Sequence, residues 1–71
     1  MALRLVVDSS SLLSVAYEPS SATLEVEFRE AREVYRFENV PLRIYEQLLA
    51  ADSKGEFFNA HIRDEYRYVR L

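Results

Sequence analysis

Apolar and polar residues alternate along much of the first forty positions, which is the pattern of β-strands with one buried face. The clearest example is TLEVEFRE at residues 23–30, where every second side chain from Leu24 to Phe28 is apolar. SLLSVAY alternates less regularly before it, and EVYRFENV alternates again after it. Because short connections join the three segments, we predict an antiparallel meander of strands near 11–17, 23–30 and 33–39.

The same alternation assigns the two faces of this meander. Arg36 and Glu38 occupy one face of the third strand, and charged side chains cannot form the buried side of a small domain. Tyr35 and Phe37, which alternate with these charged residues, therefore belong to the core, and the alternative of an open platform that stacks on bases is disfavoured. The residues expected on the buried face are Leu13, Val15, Tyr17, Leu24, Val26, Phe28, Tyr35 and Phe37.

Helical periodicity replaces the alternation after Pro41. PLRIYEQLLAAD predicts a helix near 41–51, with Pro41 in its first turn and Asn39 as a cap. Its apolar stripe consists of Leu42, Tyr45, Leu48 and Leu49. Ser53 and Glu56 have the spacing of a capping box, which predicts a second helix near 54–61. The predicted fold is α+β, with two helices covering one face of a three-stranded antiparallel meander.

Gly55 and the C-terminal segment add two details to this picture. Gly55 is the only glycine and lies in the first turn of the second helix, where it predicts a close approach of the backbone to the neighbouring helix or to a ligand. EYRYVRL alternates at the end of the chain, so it is expected to form a short fourth strand or an extended tail lying on the sheet.

Composition makes the chain a single small domain over residues 1–71. Apolar residues are 49% of the sequence, which also has five tyrosines and four phenylalanines, as a packed domain requires. The absence of cysteine excludes disulfides and thiolate metal sites. MALRLVVD is too short and too charged for a signal peptide or a membrane span. We therefore expect a cytoplasmic protein that does not contact a membrane.

The net charge of −3 argues against an ordinary phosphate-driven nucleic-acid binder. The charge is uneven, however, because residues 53–71 contain Lys54 and three arginines against three acids. In this segment, aromatic, amide and cationic side chains are interleaved: Asn59, Arg63, Tyr66, Arg67, Tyr68 and Arg70. Such residues stack on unpaired bases and hold phosphates. The alternative is that Tyr66 and Tyr68 close the core and the arginines form its solvated rim.

Catalytic chemistry is not indicated by the sequence. His61 is the sole histidine, so a site of several histidines cannot form, and a structural role is expected for it. The serine run of Ser9, Ser10 and Ser11 lacks the Gly-x-Ser-x-Gly turn of a nucleophile, and we expect it to cap neighbouring backbone or to contact a ligand. One glycine cannot build a phosphate-binding loop. We expect no enzyme activity, no metal and no cofactor.

Five segments in matching order and spacing resemble the KTSC domain, the small module named after the C-terminal region of some lysyl-tRNA synthetases. They are SSSLLSVAYEP, TLEVEF, VYRFENVP, SKGEFFNAHI and YRYVRL, which together extend from about Ser9 to Leu71. The chain departs from the family pattern where Phe37 replaces the second central tyrosine and where Arg67 stands at the usual proline. The resemblance implies an accessory domain for which RNA binding has been suggested.

Two functional hypotheses follow. The first is a nucleic-acid-binding module that uses the C-terminal aromatic and basic segment together with Ser9, Ser10, Ser11 and Asn59; the resemblance favours it. The second is a module that binds another protein, or a second copy of itself as a homodimer, through exposed sheet edges. The acidic balance of the chain favours this second hypothesis.

Overall fold

Five strands and two helices make up residues 3–71, the part of the chain that the computed structural model describes. The strands are β1 (Leu3–Val6), β2 (Leu12–Glu18), β3 (Thr23–Phe28), β4 (Val34–Phe37) and β5 (Tyr68–Arg70). The helices are α1 (Leu42–Ala50) and α2 (Lys54–His61), both between β4 and β5. The predicted α+β class and both helices are confirmed.

The strands form one antiparallel sheet in the order β1-β2-β3-β4-β5. The prediction of three strands was therefore incomplete. The tail forms a strand, β5, which returns beside β4 after the two helices. The strand at the other edge, β1, was missed, because four residues of LRLV are too few for alternation to be recognised without the partner strand.

The helices cover the face of the sheet that the alternation predicted. Across this face Val26 lies opposite Val15 and Tyr35, and Leu24 lies between Tyr17 and Phe37. The buried hydrophobic cluster is Val7, Leu12, Val15, Tyr17, Leu24, Val26, Phe37, Val40, Leu48, Phe58 and Ile62. Tyr35 and Phe28 are only half-buried, because they lie where the cover of the helices ends.

A register shift near the start of β2 corrects one assignment. Leu13 was predicted to share the buried face with Val15, but the register shifts between Leu12 and Ser14, so Leu12 enters the core and Leu13 is half-buried. An irregularity of this kind adds a residue to one strand and thereby reverses the side-chain alternation at that point.

Polar contacts rather than helices cover the opposite face of the sheet. Ser14 is buried there; its hydroxyl accepts a hydrogen bond from Arg4 Nη1 at 2.9 Å and donates to Glu27 Oε1 at 2.8 Å. Arg4 also pairs with Glu25, whose other oxygen lies 3.6 Å from Arg36 Nε. Charged side chains of β1, β3 and β4 and the Ser14 hydroxyl of β2 thus contact one another on this face, where the alternation of β3 and β4 places their charged residues.

Helix α1 differs from the prediction in its cap and in its apolar stripe. Pro41 is the N-cap residue, no side chain caps the helix, and Asn39 instead adopts a left-handed conformation at φ 57°. Leu42 is 47% exposed, whereas Ile44 packs on the core together with Tyr45, Leu48 and Leu49. Leu42 was misassigned because it is the first helical residue, and the stripe that faces the sheet starts two residues later, at Ile44.

Helix α2 begins as predicted, with Ser53 Oγ accepting a hydrogen bond from the backbone N–H of Glu56 at 3.3 Å. Its Gly55 makes a close approach, but to Ser11 rather than to helix α1. A Cβ atom at Gly55 would lie 2.9 Å from Ser11 Oγ and 3.2 Å from Ser11 Cβ. The only residue without a side chain therefore lets α2 pack directly on the segment that leads into β2.

Candidate functional site

A groove of about 480 Å³ opens on the helix-covered side of the sheet, between α2 and the hairpin of β3 and β4. Its walls come from β3, β4, β5, the β3–β4 turn and the C-terminal half of α2 together with the residues after it. The lining residues are Phe28, Ala31, Glu33, Tyr35, Phe37, Phe58, Asn59, Arg63, Asp64 and Tyr68. Its size lies within the range of small-molecule sites in proteins.

Aromatic rings in mutual contact form the floor of the groove. Phe28 meets Tyr35 and Phe58 edge-on at centroid distances of 5.4 and 5.3 Å. Tyr68 lies 5.3 Å from Tyr35 and 5.4 Å from Phe37, in tilted arrangements. Each ring is fixed by at least two others, so the floor is an ordered apolar surface. Tyr68 remains 52% exposed and can present ring surface to a ligand.

Polar side chains surround this floor. Glu33 accepts a hydrogen bond from Arg70 Nη1 at 3.1 Å, and the Tyr35 hydroxyl points to its other oxygen at 3.5 Å. Asn59, Arg63 and Asp64 are exposed along the α2 side. The rim therefore offers an amide, a guanidinium and a carboxylate beside an aromatic floor, a combination that can bind a planar polar ligand.

The structure brings together only part of the residue set that the sequence suggested. Asn59, Arg63 and Tyr68 line the groove, and Arg70 reaches its rim through Glu33. Arg67 is exposed just before β5, where its carbonyl accepts the N–H of Glu38 at 2.8 Å. Tyr66 is half-buried against the core, in agreement with the structural alternative for this residue.

The three serines lie away from the groove and organise the entry into β2. Ser9 Oγ accepts hydrogen bonds from the N–H groups of Ser11 and Leu12, both at 3.1 Å. Arg29 Nε donates to the Ser9 carbonyl at 3.0 Å, and Ser11 packs against Gly55. Ser10 is exposed. The capping role expected for this run is present in Ser9.

Sequence reasoning missed seven of the ten lining residues, namely Phe28, Ala31, Glu33, Tyr35, Phe37, Phe58 and Asp64. The two acids contributed only to the net charge, and Phe58 was assigned to the apolar side of its helix. The sequence contained one indication that Asp64 lines the groove: it directly follows the candidate residue Arg63, between α2 and the aromatic tail. The approach of Glu33 to Arg70, 37 positions later, arises only when β5 pairs with β4, so no local pattern encodes it.

Three further observations concern reactive residues, metals and membranes. His61 is exposed and its ring lies 4.6 Å from that of Phe57, outside the groove. Among residues 3–71 no group of three or more histidine, cysteine or acidic side chains is arranged to hold a metal ion. Neither helix in the same range is long and apolar enough to cross a membrane.

Comparison with known proteins gives consistent matches over most of the chain. The model of the KTSC domain family matches residues 8–66. An uncharacterised protein of Stutzerimonas stutzeri is 44% identical over 69 residues, which are 96% of each chain. A crystal structure of a KTSC domain protein from Yersinia pestis shares 34% identity and superposes with a TM-score of 0.95, covering 100% of this chain and 99% of that one.

A different kind of relative is a lysine–tRNA ligase of Nostoc sp. It is 34% identical over 64 residues, which are 90% of this chain but only 11% of the ligase. A second ligase, from Trichormus variabilis, matches over the same shares. The chain therefore corresponds to one small part of these ligases.

Proposed function

The chain belongs to the KTSC domain family, and we propose that it is a non-enzymatic accessory domain that binds unpaired RNA in the groove beside α2. The observation that carries this proposal is Tyr68, whose half-exposed ring lies within an aromatic groove. Unpaired bases stack on such rings, and guanidinium groups hold the adjoining phosphates. The presence of a related domain in lysine–tRNA ligases, whose name identifies tRNA as their substrate, agrees with an RNA ligand.

The non-enzymatic part of the proposal rests on where the reactive side chains lie. His61 contacts Phe57 outside the groove, and the Ser9 hydroxyl is occupied by two backbone N–H groups. The groove itself contributes rings, an amide, one guanidinium and two carboxylates. These groups support binding by stacking and hydrogen bonding.

The charges of the chain limit the strength of this binding. Arg63 and Arg67 are exposed and available to phosphate, whereas Arg70 already pairs with Glu33. A net charge of −3 repels a polyanion at longer range. We therefore expect weak binding that is strongest at low salt.

Fluorescence anisotropy of a labelled unpaired oligoribonucleotide at several salt concentrations tests the proposal. Changing both Arg63 and Arg67 to Gln should weaken binding and reduce the log–log slope of its salt dependence by about 0.7 for every phosphate that is no longer neutralised. The matched control is Arg43→Gln, an exposed arginine on α1 that does not line the groove. Removing the ring in Tyr68→Ala should cost about 1–3 kcal/mol of binding free energy. If the folded wild-type protein does not bind at low salt, the RNA proposal is wrong.

A second candidate function is supported by the outer edge of β1. Leu3 is 72% and Val6 79% exposed on a strand that pairs on one side only, which is the setting for addition of a strand from another protein or from a second copy of this chain. A charge on that edge should prevent the pairing. Light scattering over a range of concentrations should show association that Val6→Lys abolishes and that Val69→Lys, on β5, leaves intact.

A further inference from the structure

We propose that the groove selects guanine among the unpaired bases, with Asp64 as the carboxylate that identifies it. This inference deepens the proposed function and rests on it. It starts from the two rim carboxylates, which differ in their availability. Glu33 is engaged by Arg70 and faces the Tyr35 hydroxyl, whereas no hydrogen bond or ion pair engages Asp64 among residues 3–71.

A free carboxylate restricts what the groove can hold. An ionised carboxylate only accepts hydrogen bonds, so it requires a ligand that presents donors. The aromatic floor beside it requires a planar ring. Guanine satisfies both requirements, because the N1–H and N2–H groups on its Watson–Crick edge are adjacent donors that match the two oxygens of one carboxylate.

The other three bases place an acceptor where guanine has a donor. Adenine has the unprotonated N1 beside its amino group, cytosine has N3 and O2, and uracil has a carbonyl on each side of N3–H. Each of these would bring a lone pair against Asp64, and two acceptors facing each other cost free energy because neither is paired. The carboxylate thus discriminates by repulsion as well as by attraction.

The remaining rim residues complement the acceptor side of guanine. Arg63 adjoins Asp64 in the chain, and Asn59 lies on the preceding turn; both line the same groove. A guanidinium paired with guanine O6 and N7 is the commonest specific contact of arginine with a base. The rim thus offers donors, from Arg63 and Asn59, for the acceptors of guanine and an acceptor, from Asp64, for its donors.

The test uses unpaired oligouridylates that carry one central guanosine, adenosine, cytidine, uridine or inosine, measured by anisotropy at low salt. We expect the guanosine oligonucleotide to bind about 10- to 100-fold more tightly than the adenosine, cytidine and uridine forms. Inosine keeps O6 and N1–H but lacks the N2 amino group, so it should lose most of this preference. Equal binding of all five would overturn the inference and leave RNA binding intact, whereas no binding of any would overturn both.

Two variants and a competitor make the assignment specific. Asp64→Asn keeps the shape but replaces one acceptor oxygen by a donor, so the guanosine preference should disappear while binding to oligouridylate remains. Glu65→Gln is the matched control, since it neutralises the adjacent exposed acid that does not line the groove. If Asp64→Asn retains the preference for guanosine, the Asp64 carboxylate is not the group that recognises guanine. Guanosine monophosphate should compete for the groove more weakly than an unlabelled guanosine oligonucleotide does. Equal competition would identify a mononucleotide site and overturn the proposal that the ligand is RNA.

Discussion

Two groups of aromatic side chains lie on the helix-covered side of the sheet, and they differ in whether they are closed off from solvent or open to it. The closed cluster is Tyr17 on β2 with Tyr45 on α1, whose rings are stacked at 5.0 Å and 12°. The open cluster is Phe28, Tyr35, Phe58 and Tyr68, which forms the floor of the groove. Similar aromatic residues thus form closed core in one place and line an open groove in the other, where Phe58 is buried, Phe28 and Tyr35 are half-buried and Tyr68 is exposed.

The hydroxyl groups show the same contrast. Tyr17 is 7% exposed and donates a hydrogen bond to the Val40 carbonyl at 2.6 Å, and burial raises the pKa of its phenol. Tyr68 is 52% exposed. A buried phenol needs an internal partner, whereas an exposed one is solvated by water and leaves its ring available. The presence of an internal partner separates a structural tyrosine from a candidate ligand-binding one.

Truncation of Phe37 should have the largest effect on the fold, because this residue is part of the buried core and also contacts the open cluster. It is 2% exposed, lies opposite Leu24 and contacts Phe58 and Tyr68. We expect Phe37→Ala to lower the free energy of unfolding by about 3–5 kcal/mol through the cavity it leaves. That is most of the stability of a domain this small, so circular dichroism should show a largely unfolded protein.

Phe28→Ala is the matched comparison within the open cluster. Phe28 lines the groove and is half-buried, so part of the space it leaves can be filled by water. We expect a smaller decrease in the free energy of unfolding than for Phe37→Ala, measured by urea unfolding of both variants. Equal decreases would show that the open cluster is packed as tightly as the core.

Sequence patterns predicted the layers of this fold but not the groove. Alternation placed Leu24, Val26 and Phe37 correctly because the order of apolar and polar residues within a single strand indicates which of its faces is buried. The groove depends on β5 lying beside β4 and on α2 ending above Phe28, and these are relations between segments distant in sequence. Asn59, Arg63 and Tyr68 were selected for their residue types alone, and their proximity to Glu33 and Asp64 needed the tertiary structure.

The closed cluster can be tested by removing a single oxygen. Tyr17→Phe keeps the ring stacked on Tyr45 but leaves the Val40 carbonyl without its 2.6 Å donor. We expect a decrease of about 1–3 kcal/mol in the free energy of unfolding, because a buried acceptor is then unpaired. Tyr68→Phe removes the corresponding oxygen from the open cluster and should change stability by less than about 0.5 kcal/mol, as surface substitutions usually do. A similar decrease in both variants would contradict the contrast between the two clusters.

The tyrosines of the closed cluster should also make the stability of the protein depend on pH. Burial raises the pKa of Tyr17, and also that of Tyr45, above the ordinary range of a tyrosine. Above about pH 10 the unfolded chain therefore loses these protons while the folded chain retains them, so stability falls as the pH rises through the folded pKa values. We expect thermal unfolding to shift to lower temperature in this range, and less so in Tyr17→Phe. An equal shift in the variant would mean that Tyr17 does not contribute.

The smallest expected effect concerns how α2 is held beside the open cluster. Gly55→Ala should favour the helix by up to about 1 kcal/mol, but the new methyl group would lie 3.2 Å from Ser11 Cβ and 2.9 Å from its Oγ. The hydroxyl can rotate away, whereas Ser11 Cβ is fixed to a backbone whose carbonyl accepts the Arg29 N–H at 2.9 Å. The gain in helix propensity and the steric cost nearly cancel, so we expect a change between zero and about 1 kcal/mol of destabilisation.

A double-mutant cycle with Ser11→Gly separates the helix propensity from the steric cost, because Gly at position 11 removes both atoms that the methyl group meets. In that background Gly55→Ala should stabilise the protein by about 0.5–1 kcal/mol in urea unfolding, as helix propensity alone requires. The difference between the two backgrounds then measures the steric contact between α2 and the segment before β2. If Gly55→Ala stabilises both backgrounds equally, Ser11 does not limit the approach of α2, and the position of the groove wall has another cause.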